Sequence, residues 1–189
     1  MRSIAIASLL ISALGAAAQT EGRPDSRVKV LIYEDLQCSD CAVFRRMMDE
    51  QLLPRYGAQA AFVHRDFPLA KHAWARRAAV AARHFAEIKP ELGVAFRRRI
   101  LASIRETTEA NFNERLAAFA RQHGADSAKA VAALDDARLA ALVEKDFQDG
   151  VARGVSKTPT VFVDGAPFIE TFTAGEISSA IDKALAESS

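Results

Sequence analysis

Cysteine is scarce in this chain: two occur among 189 residues. A disulfide-stapled scaffold is excluded, and any cysteine chemistry must be done by one pair. Charge of one sign is also missing, with 25 lysines and arginines against 24 aspartates and glutamates. No basic stripe recommends nucleic acid as a partner. Long apolar runs are nearly absent. The longest covers residues 4–14, with Ser8 and Ser12 its only polar members, well below the roughly 20 residues needed to span a bilayer. There is no glycine-rich phosphate loop, nucleophile elbow, internal repeat or low-complexity tract, so no nucleotide, cofactor or solenoid reading is invited.

What is present describes an ordinary globular domain. Half the residues are hydrophobic and 26% are charged, and the length suits one domain, or one domain carrying an insertion. The first residues stand apart. Arg2, the short apolar run and the small residues of "GAAAQT" read as an export signal with cleavage after Ala18. No cysteine follows the run to accept a lipid. The mature protein is expected to be soluble and extracytoplasmic, where disulfides persist.

β-Branched residues at 28–33 predict a buried strand that leads straight into "CSDC". Apolar residues at helical spacing predict a helix over 41–53, capped by Ser39 or Asp40 and closed by Pro54 and Gly57. A second strand is expected over 60–65. Residues 71–154 carry no strand signal and read as inserted helices over about 71–87, 91–104, 112–123, 127–133 and 136–153. Strands at 160–163 and 166–169 flank Asp164-Gly165, a strong hairpin turn, and a helix over 174–186 ends the chain. Trp74, Phe85 and Phe96 are assigned to the core. Arg97, Arg98 and Arg99 read as a solvated basic face.

The pair Cys38 and Cys41 admits three uses. As a staple, it closes so short a loop that the chain-entropy gain is about 2 kcal/mol, against nearly 5 for a 100-residue loop. As a structural zinc site, it lacks a second ligand pair, because His64, His72, His84 and His123 show no ligand spacing. Copper(I) on the two thiolates remains open. As a redox pair, Cys38 at a helix N-terminus would be the activated thiolate and Cys41, one turn inward, the resolving thiol.

The order strand, "CSDC", helix, strand, helical insert, then "VSKTPTVFVDG" resembles the thioredoxin superfamily. Within it the chain is similar to the exported DsbA-like disulfide oxidoreductases, over essentially all of the mature sequence. That resemblance implies an α/β thioredoxin fold, a mixed central sheet flanked by helices, with a helical subdomain inserted at about 71–154. It implies a cis peptide at Pro159 beside Cys38, with the Thr158 backbone free to pair with an extended substrate. It implies exported protein substrates, a membrane-bound redox partner that reoxidises the pair, a monomer, and neither cofactor nor metal. Exported isomerases of related type carry a preceding dimerisation domain, for which no room lies between Ala18 and the first expected strand.

The family often has proline and histidine between its cysteines, where this chain has Ser39 and Asp40. A carboxylate at Asp40, helped by Glu34 and Asp35, would repel the Cys38 thiolate and weaken the oxidant. Asp35 matches a family acidic position and could take a proton when Cys41 attacks; a solvated loop carboxylate is the plainer reading, for Glu34 as well. For His72, in "HRDFPLAKH", a capping or surface role is favoured over one near the reactive face.

Overall fold

The computed structural model describes residues 19–188, and the expected signal segment lies outside the described residues. The elements are β1 (Thr20–Gly22), β2 (Lys29–Glu34), α1 (Ser39–Met47) running through a π-helical turn (Met48–Leu52) into α2 (Leu53–Tyr56), and β3 (Ala61–Asp66). Then come the inserted helices α3 (Ala75–Ile88), α4 (Pro90–Ala102), α5 (Phe112–Gln122), α6 (Ser127–Ala132) and α7 (Ala137–Ala152), followed by β4 (Thr160–Val163), β5 (Ala166–Ile169) and α8 (Ala174–Glu187).

The five strands form one sheet in the order β1-β3-β2-β4-β5. The β2–β3 pair is parallel and the other three pairs are antiparallel, so the expected mixed sheet is the observed one. β1 was not anticipated: "TEG" has no run of β-branched residues to announce it, and its place is set by pairing with β3. Helix α1 also starts earlier than its apolar pattern suggests, because Cys38 itself occupies the N-cap position with extended backbone (φ −87°, ψ 126°). Neither Ser39 nor Asp40 caps it.

Residues two apart on a strand share a face. On β2 and β3 the register pairs Val30 with Phe62, Ile32 with His64 and Glu34 with Asp66. One face of the sheet therefore begins apolar and ends ionic. The apolar end, with Val161 and Val163 of β4, packs in one cluster with Phe44, Met48 and Leu52 and with Ile177 and Ile181 of α8. A capping box formed by Thr173 and Glu176 starts α8.

The insert has its own apolar centre. Rings of Phe85, Phe96 and Phe119 meet with centroids 4.9–5.1 Å apart, and Trp74 stacks on Phe112 at 5.8 Å. Leu36, Cys38, Cys41 and Ala42 belong to the same buried cluster, so the cysteine pair lies on the seam between sheet domain and insert. Helices α3 and α4 approach closely at Gly93, where an added Cβ would lie 2.6 Å from the Ala86 Cβ and 2.9 Å from the Ala82 carbonyl oxygen. At the β4–β5 tip, Asp164 (φ 47°) and Gly165 (φ 80°) both take positive φ, as a two-residue hairpin turn demands. Among the described residues no helix is long and apolar enough to cross a membrane.

Candidate active site

Strand β2 delivers the chain to a tight turn whose Asp35 carbonyl accepts from the Cys38 N–H at 3.0 Å. The turn sets Cys38 at the head of α1 and Cys41 one turn further in. Both sulfurs are enclosed, Cys38 at 7% exposure and Cys41 at 0%, and they stand unbridged. The Thr158–Pro159 peptide is cis. It brings Thr158 against the pair, so that the Cys38 Sγ donates to the Thr158 carbonyl at 3.3 Å.

The two thiols are driven apart electrostatically. Cys38 is drawn down to about 6, chiefly by the Cys41 thiol that donates to it; burial opposes this, and Thr158 and the backbone N–H groups of Cys41 and Asp40 favour the thiolate. The Thr158 hydroxyl, buried without a hydrogen-bond partner in the dithiol form, lies close enough to assist the thiolate. The Asp40 N–H thus pulls opposite to the repulsion expected of its carboxylate. Burial pushes the Cys41 thiol well up, and the Cys38 sulfur and the Glu34 charge push the same way.

The neighbouring carboxylates are not solvated loop groups, which corrects that expectation for Asp35 and Glu34, 1% and 3% exposed. The Asp35 N–H donates to Cys41 Sγ at 3.4 Å. Its carboxylate accepts from the N–H groups of Gln37 (2.6 Å) and Leu69 (2.7 Å) and bonds His72 Nδ1 (2.8 Å). Helix α3 starts only at Ala75, so His72 precedes it. Rather than capping a helix or facing bulk solvent, His72 lines the same groove as Cys38.

Glu34 enters a buried ionic layer. His64, fully enclosed, has Nδ1 2.8 Å from Glu34 and Nε2 2.8 Å from Glu21. Carboxylates only accept, so both ring nitrogens must donate and His64 is an imidazolium. Burial alone would lower its pKa; the flanking carboxylates raise it. The solvated-face reading of Arg97 is likewise corrected. At 1% exposure it donates to Glu34 at 2.9 Å, to Gln19 and to Asp66. Arg83 and Asp146 extend the layer from α3 and α7. Arg98 is half-exposed and pairs with Glu21 and Asp49. A signal for Arg97 existed in the sequence: it falls on the stripe of Gly93, Ile100 and Leu101, all buried, whereas Arg98 and Arg99 do not.

A groove of about 580 Å³ opens at Cys38, lined also by Ser39, Asp40, His72, Leu101, Ile104 and Thr158. The sequence-predicted residues Ser39, Asp40, Cys38 and Thr158 thus share one surface, while Cys41, Asp35 and Glu34 lie beneath it. Among the described residues no cluster of three or more histidines, cysteines or carboxylates is arranged to hold a metal ion.

Comparison with known proteins agrees with this geometry. The family model described as Thioredoxin matches residues 17–183. The chain belongs to the thioredoxin family. Among solved structures, this thioredoxin-family chain is similar to BdbD from Bacillus subtilis (TM-score 0.80, 22% identity, 92% of this chain and 95% of that one). It is also similar to α-DsbA1 from Wolbachia pipientis (0.78, 17%, 89% and 91%) and to DsbA from Chlamydia trachomatis (0.75, 19%, 87% and 90%). At these identities the likeness establishes a DsbA-like thioredoxin fold, with α3–α7 as its helical insert. A curated relative, the Na(+)/H(+) antiporter NhaA of Herminiimonas arsenicoxydans, is 28% identical over 162 residues. That match takes in 85% of this chain but only 24% of the antiporter, so the chain spans about a quarter of that relative's length.

Proposed function

We propose that this protein is an exported thiol:disulfide oxidoreductase that forms disulfides in secreted proteins by exchange through Cys38 and Cys41. The observation that carries the reading is the separation of the two thiols: an activated Cys38 at a helix N-terminus beside the cis Pro159 segment, and a suppressed Cys41 behind it. A low-pKa Cys38 is a good leaving group, which favours passing the disulfide on to a substrate. The Thr158 segment offers backbone groups for an extended substrate to pair with. The export signal over residues 1–18 supports an oxidising compartment. Oxidation of each substrate dithiol leaves the pair reduced by two electrons, so a membrane-bound redox partner must restore it. The protein acts as a monomer.

The test is oxidative refolding of a reduced substrate by the purified protein. Wild type accelerates it, Cys38→Ser abolishes it, and Cys41→Ser accumulates mixed disulfides with the substrate. A protein that exchanges no thiols yet binds one copper(I) tightly overturns the enzymatic reading. A pair that stays oxidised until strongly reducing conditions reverses the direction to reductase.

A further inference from the structure

The exchange reading leaves one polar group of the groove without a task. His72 Nδ1 is 2.8 Å from the Asp35 Oδ2. The Asp35 side chain is fully buried, while that of His72 is 19% exposed. A carboxylate accepts only, so it fixes the proton on Nδ1 and leaves the lone pair on Nε2. Nε2 has no protein partner among the described residues, and His72 lines the same groove as Cys38. An oriented imidazole with its free nitrogen open to a substrate groove has the arrangement of a general base.

We propose that His72, oriented by Asp35, is the general base that removes the proton from an incoming substrate thiol. This rests on the exchange reading of the same groove. The substrate S–H gives its proton to Nε2 and the resulting thiolate attacks Cys38 Sγ. The Cys38–Cys41 bond breaks, Cys41 leaves with the electron pair and is reprotonated from the groove, into which His72 releases its proton. The second substrate thiol gives its proton to Nε2, free again, and its thiolate attacks the substrate sulfur of the mixed disulfide, so that the Cys38–substrate bond breaks and Cys38 departs as a thiolate. The substrate loses two electrons and the cysteine pair gains them.

The need for such a base follows from the substrate. An ordinary cysteine thiol has a pKa near 8.5, so only about 3% is thiolate at pH 7, and exchange runs on the thiolate. Full deprotonation could therefore speed the step by up to about 30-fold at that pH. The charged groups that share the groove with His72 are Asp40 and Arg46 of α1, Lys71 beside it, Arg105 and Glu106 after α4, and Glu170 after β5, with Asp35 beneath.

His72→Asn keeps an N–H for Asp35 in the Nδ1 position and removes the base. Single-turnover oxidation of a dithiol peptide by the pre-oxidised protein should slow on the order of tenfold at pH 7. The deficit should vanish by about pH 9.5, where the peptide is thiolate already, and should be missing at pH 7 for a thiol whose pKa is below 6. Alkylation of reduced Cys38 by a neutral reagent, unchanged in the variant, shows that the site is intact; should His72→Asn fail that control, His72→Gln takes its place. A deficit equal at all pH values, or no deficit, overturns the general base while leaving exchange standing. A wild-type protein inert toward the dithiol peptide overturns both readings together.

Discussion

One face of the sheet carries two kinds of interior, a few residues apart on the same strands. At its first end Val30, Ile32 and Phe62 sit in an apolar cluster. At its far end Glu34, His64 and Asp66 are as deeply buried, but meet Arg97, Arg83 and Glu21. The apolar end is held by area removed from water, which is non-directional and tolerates small changes of shape. The ionic end is held by matched charges whose desolvation is costly, so it tolerates neither a missing partner nor a change of protonation. The reactive cysteines are next to the ionic end. Its charge, through Glu34, helps keep Cys41 a thiol.

The sharpest way to break this comparison is to damage each end and then change the pH. Phe62→Ala should cost about 3–5 kcal/mol, and Arg97→Ala, by stranding Glu34 and Asp66, a similar 3–5 kcal/mol. Urea unfolding at pH 7 and pH 3 separates them. The Phe62 loss should be the same at both, whereas the Arg97 loss should narrow in acid as the stranded carboxylates take up protons. Equal losses at both pH values for Arg97→Ala would mean that packing, not charge, dominates there.

The wild-type protein offers a second, smaller contrast. Despite burial, which opposes it, His64 and Arg45 hold Glu21 near 2, below its ordinary 4.5. Arg97 and Arg83 likewise outweigh burial and hold Asp66 near 2, below 3.8. With folded values below unfolded ones, the native state binds fewer protons, so this stabilisation is complete above about pH 4.5 and drains away toward pH 2. His64 has the opposite sign: its raised value stabilises fully below 6.5 and is lost as pH climbs through the folded pKa. Urea midpoints measured across pH should fall at the acid end for these reasons. Ile32→Val, at the apolar end, should cost only about 0.5–1.5 kcal/mol and leave the shape of that pH curve unaltered.

The smallest effect concerns the cysteines. Alkylation of Cys38 should follow a thiolate with a midpoint near pH 6, while Cys41 stays unreactive. Glu34→Gln, by removing a charge that opposes its ionisation, should let Cys41 react at lower pH than in the wild type, read by mass after timed alkylation. No change at Cys41 would disconnect the ionic layer from the redox pair.

The apolar end was legible in the sequence and the ionic end was not. Val30, Ile32 and Phe62 lie in runs whose composition announces buried strands, and Phe85 and Phe96 sit at helical spacing. Cys38, Cys41 and Pro159 were found because their residue types have few alternative uses. Glu34 and Arg97 are 63 residues apart, and Arg97 and Asp66 are 31. A charged residue looks solvated until its partner is known, and pattern along one segment cannot supply a partner from another. The same reason hid β1, which exists only because β3 offers it an edge, and the Asp35–His72 bond, which joins residues 37 apart.

Gly93 has a mechanical consequence. With the backbones of α3 and α4 in near contact at Ala82 and Ala86, the two helices are clamped, and the segment that follows α4 carries Ile104 and Arg105 into the wall of the groove. That wall is one jaw of a vice, and the α3–α4 contact is the bracket that holds it. A side chain at position 93 would therefore be felt at the mouth of the groove, because pushing α4 off α3 shifts the jaw with it.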